Sequence, residues 1–488
     1  MIIDAGSSGS RIFVYKYYFR VPNSSNSANN SKEKTYSNLN DSKLDLSQKF
    51  SIDYLKVELA RDPDNSNKTL VRKISPGLSS LAKNATYSAE YLFKLIDSVM
   101  VKIPLKKYHD IPLYIMATAG MRLVSHMEQE AILKDIRHDI AMRYPQLFFP
   151  ASHIQIISGK MEAVYAWIAM NYILGNFDKH AKSTVGILEM GGASLQIAYE
   201  VPHNYSTFVY KNSKNTSKEQ VNEIVANSIY QLNLSGRIPN GAIKKKKYYD
   251  VYVKSFLGFG VNQTIDIYKK SVMLKYLQIL KNKNKTSGDS VQIQDPCYPV
   301  GYTYKLRVDN SVHNNTTNKI NITGTGNFKS CHKSLIPLLK LNSECSLEPC
   351  SLDGVHHPIG FYAQLPNHTL LPKFYGISEF LYSHAILELN DIYNSKAFKD
   401  KAVRYCATPY NPILKAYKKH LLLNVNSAYG KNSIINQCIK AVWIYTVLHD
   451  GFEFPKDQDI LESVDLVKGK EVSWTLGAII HTILYDLS

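Results

Sequence analysis

The chain has 488 residues, of which 44% are hydrophobic and 20% charged, and it contains 24 Gly, 19 Pro and 6 Cys. These values exclude a wholly disordered chain, a collagen-like repeat and a small disulfide scaffold, and the length suggests two or three domains of about 150 residues each. The net charge of +17 is compatible with an anionic partner, such as nucleic acid, a membrane or a small anionic substrate. No motif of a nucleic-acid-binding domain accompanies this charge, so we expect no nucleic-acid partner.

The apolar stretches of the sequence are too short to cross a membrane. The nearest candidates are 438–448, which Lys440 interrupts, and 476–484, which contains His481. We therefore expect no membrane span in this chain. The first residues run directly into Asp4 without a basic and then apolar leader, and we expect a leader or anchor to lie upstream of Met1.

The predicted elements alternate between strands and helices. A strand is expected over 111–117 and a helix over 125–143, and the pair repeats with a strand over 153–157 and a helix over 160–174. Alternation of this kind is typical of an α/β fold. Polar stretches rich in Asn, Ser and Lys are interpreted as surface insertions, namely 23–47, 212–218, 281–290 and 309–321.

Two segments repeat one pattern, in which an apolar strand is followed by an acidic residue, a turn rich in Gly and Ser, and a second strand. The first contains Asp4 and residues 5–10, and the second contains Glu189 and residues 190–194. Glycine lets backbone N–H groups approach a phosphate, serine adds a hydroxyl donor, and an acidic residue can hold a metal ion through water. One such hairpin is usually an ordinary turn. Two of them, one in each half, predict paired lobes that bind a polyphosphate from opposite sides.

Five short motifs extend this pattern along the chain: DAGSSGSR (4–11), MATAGMRL (116–123), SGKMEAVYAWIAMNY (158–172), ILEMGGASLQI (187–197) and WTLGA (474–478). In this order they resemble the conserved regions of the GDA1/CD39 family of nucleoside triphosphate diphosphohydrolases, the apyrases. Matches between them include SFLGFG (255–260), PCYPVGY (296–302), CSLDG (350–354) and FYGISEFLY (374–382). The resemblance implies two actin-like, ribonuclease-H-like α/β lobes with a nucleotide cleft between them. The N-terminal lobe is expected to comprise 1–158 and 465–488, and the C-terminal lobe 159–464.

The resemblance also implies a role for each matched residue. Glu162 matches the catalytic glutamate that takes a proton from the attacking water, and Ser194 and Gln196 match the residues that position this water. Asp4 and Glu189 match the two acids that hold a divalent metal, Ca²⁺ or Mg²⁺, through its waters. The residues expected to bind phosphate are Ser7, Ser8, Gly9, Arg11, Thr118, Arg122, Gly191, Gly192 and Ala193.

Two positions depart from the family pattern. The family normally has Asp where Glu189 stands, and the extra methylene moves the carboxylate by about 1 Å or more, which can weaken catalysis or alter the metal preference. Ala163 replaces a Gly that normally follows the catalytic glutamate, and we expect this change to be tolerated.

Two aromatic residues, Tyr382 and Trp474, are expected to hold the nucleobase. Stacking ignores base identity because every base has a π-face, so purines and pyrimidines should both be accepted. The alternative interpretation is that both side chains are simply packed aromatics.

The sequence thus predicts divalent-metal-dependent hydrolysis of nucleoside tri- and diphosphates to the monophosphate and phosphate, by in-line attack of water. Three alternatives remain open. The chain could be another actin-like enzyme, such as an exopolyphosphatase or sugar kinase, or a weakly active or inactive homologue that only binds nucleotide. A covalent mechanism through Ser7 or Ser8 is the third, although neither serine has a His in a recognisable triad motif.

All six cysteines lie in the second half of the chain, and no C-x-x-C pair indicates a zinc site. An even number with this spacing favours disulfides, and the resemblance implies the pairs Cys297–Cys331, Cys345–Cys350 and Cys406–Cys438. Glycosylation sequons point the same way, among them Asn67, Asn84, Asn204, Asn233, Asn262 and Asn367. We therefore expect a protein that is secreted, or that faces the lumen of the secretory pathway or the outside of the cell.

Overall fold

The computed structural model describes residues 1–20, 35–36, 52, 55–178, 183–212, 216–234, 248–282, 293–309, 317–357, 372–422, 430–463 and 466–486. Most of the predicted insertions at 23–47 and 281–290 lie outside the described residues. The same applies to the central parts of the insertions at 212–218 and 309–321.

The strands, in chain order, are β1 (Ile2–Ala5), β2 (Ser10–Phe13), β3 (Tyr15–Arg20), β4 (Thr35–Tyr36), β5 (Leu55–Leu59), β6 (Arg61–Asp62), β7 (Asn65–Thr69), β8 (Val71–Ile74), β9 (Tyr114–Ala117), β10 (Ile154–Ile156), β11 (Gly186–Met190), β12 (Ser194–Val201), β13 (Ile229–Asn233), β14 (Tyr248–Leu257), β15 (Ile293–Asp295), β16 (Thr303–Asp309), β17 (Thr317–Gly324), β18 (Phe374–Ser378), β19 (Leu461–Glu462), β20 (Leu466–Val467) and β21 (Lys470–Glu471).

The α-helices are α1 (Ser88–Met100), α2 (Ala119–Arg122), α3 (His126–Arg143), α4 (Gly159–Leu174), α5 (Tyr205–Asn212), α6 (Lys218–Ser228), α7 (Val261–Asn282), α8 (Phe328–Leu335), α9 (Glu379–Ile386), α10 (Ser395–Ala407), α11 (Tyr410–Leu422), α12 (Lys431–Ile435), α13 (Gln437–Thr446) and α14 (Trp474–Asp486). Short 3₁₀ segments span Leu78–Tyr87, Leu105–Asp110, Ala151–His153, Ile336–Leu339 and Leu352–Gly354, and a π-helical turn spans Val447–Gly451.

Two mixed sheets repeat one topology. In the first, with order β10-β9-β1-β2-β8, strands β1, β2 and β8 are antiparallel neighbours, and β9 and β10 continue parallel to β1. The second sheet has the order β13-β14-β12-β11-β18-β19. Its strands β11, β12 and β14 are antiparallel neighbours, and β18 and β19 continue parallel to β11. Three antiparallel strands followed by two parallel ones form the ribonuclease-H-like arrangement. The predicted two-lobed α/β fold is confirmed.

Helices α4 and α14 lie between the two sheets and pack along each other. Apolar residues from both sheets share one core cluster with these helices, including Ile2 of β1 and Val251 of β14. The helices approach closely, since any Cβ on Gly477 would clash with the Tyr165 carbonyl. The lobe boundaries near 158 and 465 stay a prediction.

The three predicted disulfides, Cys297–Cys331, Cys345–Cys350 and Cys406–Cys438, are all present, so this prediction is confirmed. The first and third close loops with sequence separations of 34 and 32 residues. Cross-links of this span stabilise a fold mainly by restricting the unfolded chain. In the part of the chain that the structure describes, no helix is long and apolar enough to cross a membrane.

Two adjacent histidines are buried in the second lobe, and we expect them to make stability depend on pH. Burial lowers the pKa of His356 from 6.5 to about 4 and the pKa of His357 to about 3. The unfolded chain therefore binds more protons than the folded chain below pH 6.5, so stability falls as the pH falls. We expect protonation of each histidine to lower the free energy of unfolding by about 1.6 kcal/mol between pH 6.5 and 5, measured by urea denaturation.

A matched variant tests this assignment. His357 packs against Phe452 with ring centroids 5.0 Å apart, and its Nε2 has no hydrogen-bond partner in the described part of the chain. His357→Phe should therefore keep the packing and reduce the loss of unfolding free energy between pH 6.5 and 5 by about 1.6 kcal/mol. An unchanged pH dependence in this variant would contradict the assignment.

Candidate active site

Two turns of the same form lie at the ends of β1 and β11. In the first, Gly6 N–H donates to the Gly9 carbonyl at 3.0 Å, and in the second, Gly191 N–H donates to the Ser194 carbonyl at 3.0 Å. The turns face each other, because a Cβ on Gly192 would lie 2.6 Å from Ser7 Oγ. The two hairpins that the sequence pattern singled out thus meet across the cleft between the lobes.

Glycines elsewhere in the motifs let other segments press against these turns. A Cβ on Gly120 would lie 2.7 Å from the Ser7 Cα, and one on Gly260 would overlap the Ser194 amide. Thr118, directly before α2, is 5% exposed and its N–H donates to the Ala5 carbonyl at 3.3 Å. The second motif and the SFLGFG segment therefore support the backbone of the two turns.

Glu162 lies in the first turn of α4, which Ser158 caps by accepting from the Met161 N–H at 3.2 Å. Glu162 is 7% exposed, and its carboxylate accepts from Arg122 at 2.9 Å. Burial raises the pKa of Glu162, and the Arg122 guanidinium opposes this shift. A buried carboxylate with one cationic partner is well placed to exchange a proton with a small molecule beside it.

Ser194 and Gln196 complete a polar cluster around this carboxylate. Gln196 Nε2 donates to Ser194 Oγ at 2.5 Å and to Glu162 at 3.3 Å. Gln196 Oε1 is buried and has no hydrogen-bond partner among the described residues. Ser255, whose Oγ lies 3.4 Å from Gln196 Nε2, also belongs to the cluster. The sequence reasoning included its SFLGFG segment but gave Ser255 no role.

Asp4 and Glu189 lie at corresponding positions on the two hairpins, Asp4 opposite Arg11 and Glu189 opposite Gln196 in the strand registers. Burial, with a further contribution from Glu162, raises the pKa of Asp4 to about 7. Burial, followed by Glu162 and Asp4, raises the pKa of Glu189 to about 8. Glu162 thus repels both other carboxylates, and the nearby Arg11 and Lys73 offset only part of the shift at Asp4.

These two acids fit a divalent metal. They are hard oxygen donors, which Ca²⁺ and Mg²⁺ prefer, and Glu189 Oε2 is buried with no hydrogen-bond partner among the described residues. Within the described ranges, no three acidic, His or Cys side chains gather as direct ligands. That Asp4 and Glu189 hold such an ion through its waters stays a prediction.

Ser378 contacts Glu189, and the sequence predicts that this serine faces the cleft without indicating that contact. Its hydroxyl donates to Glu189 Oε1 at 3.3 Å, and its backbone has a positive φ of 60°, which is uncommon for a residue other than glycine. The next residue, Glu379, accepts from Lys440 Nζ at 2.9 Å in an almost fully buried ion pair. This pair fixes the start of α9 and with it the position of Ser378.

The residues predicted to hold the base are near the same turns. Arg11 pairs with Glu471 at 3.4 Å and lies beside Tyr382, which contributes to the raised pKa of Arg11. Trp474 is 4% exposed and stacks on the Tyr165 ring at a centroid distance of 6.4 Å, and its side chain lies close enough to Asp4 to oppose the rise in the pKa of that carboxyl. Tyr382 and Trp474 thus contact the polar residues of the first lobe.

Comparison with known proteins agrees with this geometry. A family model described as the GDA1/CD39 (nucleoside phosphatase) family matches residues 1–486. The chain belongs to this family. The resemblance seen in the sequence is confirmed, and with it the predicted enzyme class, a hydrolase of nucleotide phosphates.

Named relatives cover almost the whole chain. It is 34% identical over 503 residues to ectonucleoside triphosphate diphosphohydrolase 7 of Pongo abelii, covering 99% of this chain and 72% of the relative. It is 32% identical over 506 residues to ectonucleoside triphosphate diphosphohydrolase 4 of Mus musculus, with the same coverage. It is also 32% identical over 496 residues to the nucleoside-diphosphatase mig-23 of Caenorhabditis briggsae, covering 99% and 76%.

A solved structure supports the fold. The crystal structure of nucleoside triphosphate hydrolases from Neospora caninum is 15% identical to this chain, covers 99% of this chain and 92% of that chain, and has a TM-score of 0.55. At this identity the match concerns the fold alone.

Proposed function

We propose that this enzyme hydrolyses nucleoside tri- and diphosphates to the monophosphate and phosphate, with a divalent metal and a water activated by Glu162. The observation that carries the proposal is the buried cluster in which Glu162, Arg122 and Gln196 meet beside the two facing turns. A base, a water-positioning group and phosphate-binding backbone are the parts that in-line hydrolysis requires.

In the proposed mechanism, Glu162 accepts the proton of the attacking water as the water oxygen bonds to the terminal phosphorus. Ser194 and Gln196, which contact each other at 2.5 Å, orient this water. Arg122 favours the anionic form of Glu162, which the base needs before it can take a proton. No covalent nucleophile is needed, and Ser7 and Ser8 serve through their backbone amides.

Phosphate binding is assigned to the two turns and their neighbours. Ser7, Ser8 and Gly9 form the first turn, Gly191, Gly192 and Ala193 form the second, and Arg11, Thr118 and Arg122 lie beside them. When bound between Asp4 and Glu189, Ca²⁺ or Mg²⁺ would add positive charge next to the phosphate oxygens. Every other interaction in this scheme comes from the chain itself.

We also propose that the protein acts in the secretory pathway or at the extracellular face. Two relatives are named ectonucleoside triphosphate diphosphohydrolases, and three disulfides suit an oxidising compartment. The proposed partners are therefore nucleoside tri- and diphosphates, without nucleic acid.

A phosphate-release assay tests the proposed function. Purified protein is incubated with ATP, ADP, UDP and GDP in the presence of Ca²⁺, Mg²⁺ or EDTA, and inorganic phosphate and nucleoside monophosphate are quantified. Release of both products with a metal ion supports the proposal. No release with any of the four nucleotides in either metal would instead favour a homologue that binds nucleotide without hydrolysing it.

Glu189→Asp is expected to keep or raise activity, up to about tenfold in kcat/KM, because it removes the extra methylene that shifts the carboxylate. The Ser378 hydroxyl lies 3.3 Å from Glu189 Oε1, and it can move only part of the way with the carboxylate when the side chain is shortened. Steady-state kinetics with Ca²⁺ and with Mg²⁺ measures the effect. A strongly impaired Asp variant would mean that the site is adapted to the longer side chain.

Tyr382→Ala is expected to raise KM about tenfold for ATP, ADP and UDP alike and to spare tripolyphosphate, because stacking on a ring is lost. Tyr382→Phe is the matched control, since it keeps the ring and removes the hydroxyl that contacts Arg11. Steady-state kinetics of both variants measures these changes. An equal loss on tripolyphosphate would show that the ring supports the phosphate site rather than the base.

A further inference from the structure

Lys73 lies beside the first turn, outside the motifs that the sequence singled out. The strand registers place Asp4 opposite Arg11 and Arg11 opposite Lys73, across β1, β2 and β8. Directly paired residues of neighbouring strands project from the same face of a sheet, so these three side chains form one row. The Lys73 Cε lies 3.4 Å from the position of a Cβ on Gly9, which places the lysine against the turn itself.

The charge of Lys73 is available to a ligand. Arg11 is engaged by Glu471 and Tyr382, whereas Lys73 is only partly exposed but forms no ion pair in the part of the chain that the structure describes. Partial burial and the neighbouring Arg11 lower the pKa of Lys73, and Asp4 opposes this shift. Two adjacent cations that repel each other are both stabilised when an anion binds between them.

The row of Asp4, Arg11 and Lys73 runs from the side of Glu162 towards the side of Tyr382. Asp4 is the member that lies near Glu162, whose charge contributes to its raised pKa. Arg11, the next member, reaches Tyr382, the proposed contact of the base. Arg11 and Lys73 therefore lie on the side of the cleft that would hold the nucleoside part of the substrate.

We propose that Lys73 binds the phosphate that stays on the nucleoside, and so stabilises the leaving group of the reaction. The inference rests on the proposed function. As water bonds to the terminal phosphorus, the bond from that phosphorus to the bridging oxygen breaks, and the bridging oxygen keeps the electron pair. Negative charge then grows on the leaving phosphate, where a fixed cation stabilises the transition state more than the ground state.

The test compares Lys73→Met, Lys73→Arg and a control, Lys94→Met, which removes a lysine charge on the outer helix α1 where Lys94 is exposed. Lys73→Met should lower kcat/KM for ADP about 10- to 100-fold, in the range of one hydrogen bond to a charged group. Lys73→Arg keeps the charge and should stay within about threefold of the wild type. Lys94→Met should leave the kinetics unchanged.

Binding of the two products then locates the contact. AMP carries the leaving phosphate, so Lys73→Met should weaken AMP binding about tenfold or more in calorimetry and leave the inhibition constant of inorganic phosphate unchanged. Unchanged AMP binding would overturn the inference, as would a loss confined to inorganic phosphate. AMP binding is measured without turnover, so an inactive wild-type protein would refute the proposed function and still leave Lys73 tested.

Discussion

Glu162→Gln is expected to lower kcat about 100-fold or more and to leave nucleotide binding largely intact, because the amide cannot take the proton of the attacking water. The glutamine keeps the shape of the side chain, and its amide oxygen can still accept from Arg122, which lies 2.9 Å from the Glu162 carboxylate in the structure. Steady-state kinetics gives the loss in kcat, and calorimetry with ADP shows whether binding survives.

A glutamate in a similar local setting provides the control. Glu90 also lies in the first turn of a helix, α1, but unlike Glu162 it is exposed. Glu90→Gln should change neither kcat nor KM. Unchanged turnover in Glu162→Gln would remove this residue from the mechanism, and equal losses in both variants would point to a general effect on the fold.

Removal of divalent metal is expected to reduce hydrolysis at least about 100-fold, and added Ca²⁺ or Mg²⁺ should restore it. Asp4 and Glu189 have raised pKa values because their charges are buried close to each other and to Glu162, with too little positive charge nearby. A bound cation supplies that charge. Assays in excess EDTA, followed by titration with each metal, measure the dependence.

A binding readout separates the metal site from the chemistry. Asp4→Asn should weaken Ca²⁺ binding in calorimetry as well as activity, whereas Glu162→Gln should keep most of the metal binding and lose activity. Full turnover in excess EDTA would contradict the two-acid site.

The local signals in the sequence predicted the elements that carry the site. Serine caps mark the starts of α3 and α4, so the predicted helices at 125–143 and 160–174 differ from the observed ones by one residue at their starts. The predicted strand 111–117 is shorter in the structure, since β9 covers only Tyr114–Ala117. The cysteine pairing followed from the resemblance and is confirmed.

The contacts that depend on tertiary structure could not be predicted. Ser255 and Ser378 meet the cluster only because β12 pairs with β14 and β11 pairs with β18, and no local pattern contains that information. The row of Asp4, Arg11 and Lys73 likewise forms only because β8 pairs with β2 in the observed register. Burial of the Glu379–Lys440 ion pair could not be predicted from the sequence either, since charged residues are ordinarily expected at the surface.

Hydrolysis of ADP in water enriched in ¹⁸O, with products analysed by mass spectrometry, tests the central claim most directly. Attack of water on the terminal phosphorus predicts one ¹⁸O atom in each molecule of released phosphate and none in AMP. Label in AMP would place the attack at the other phosphorus and contradict the proposed orientation of the substrate. Absence of any released phosphate, with either metal present, would contradict the account as a whole.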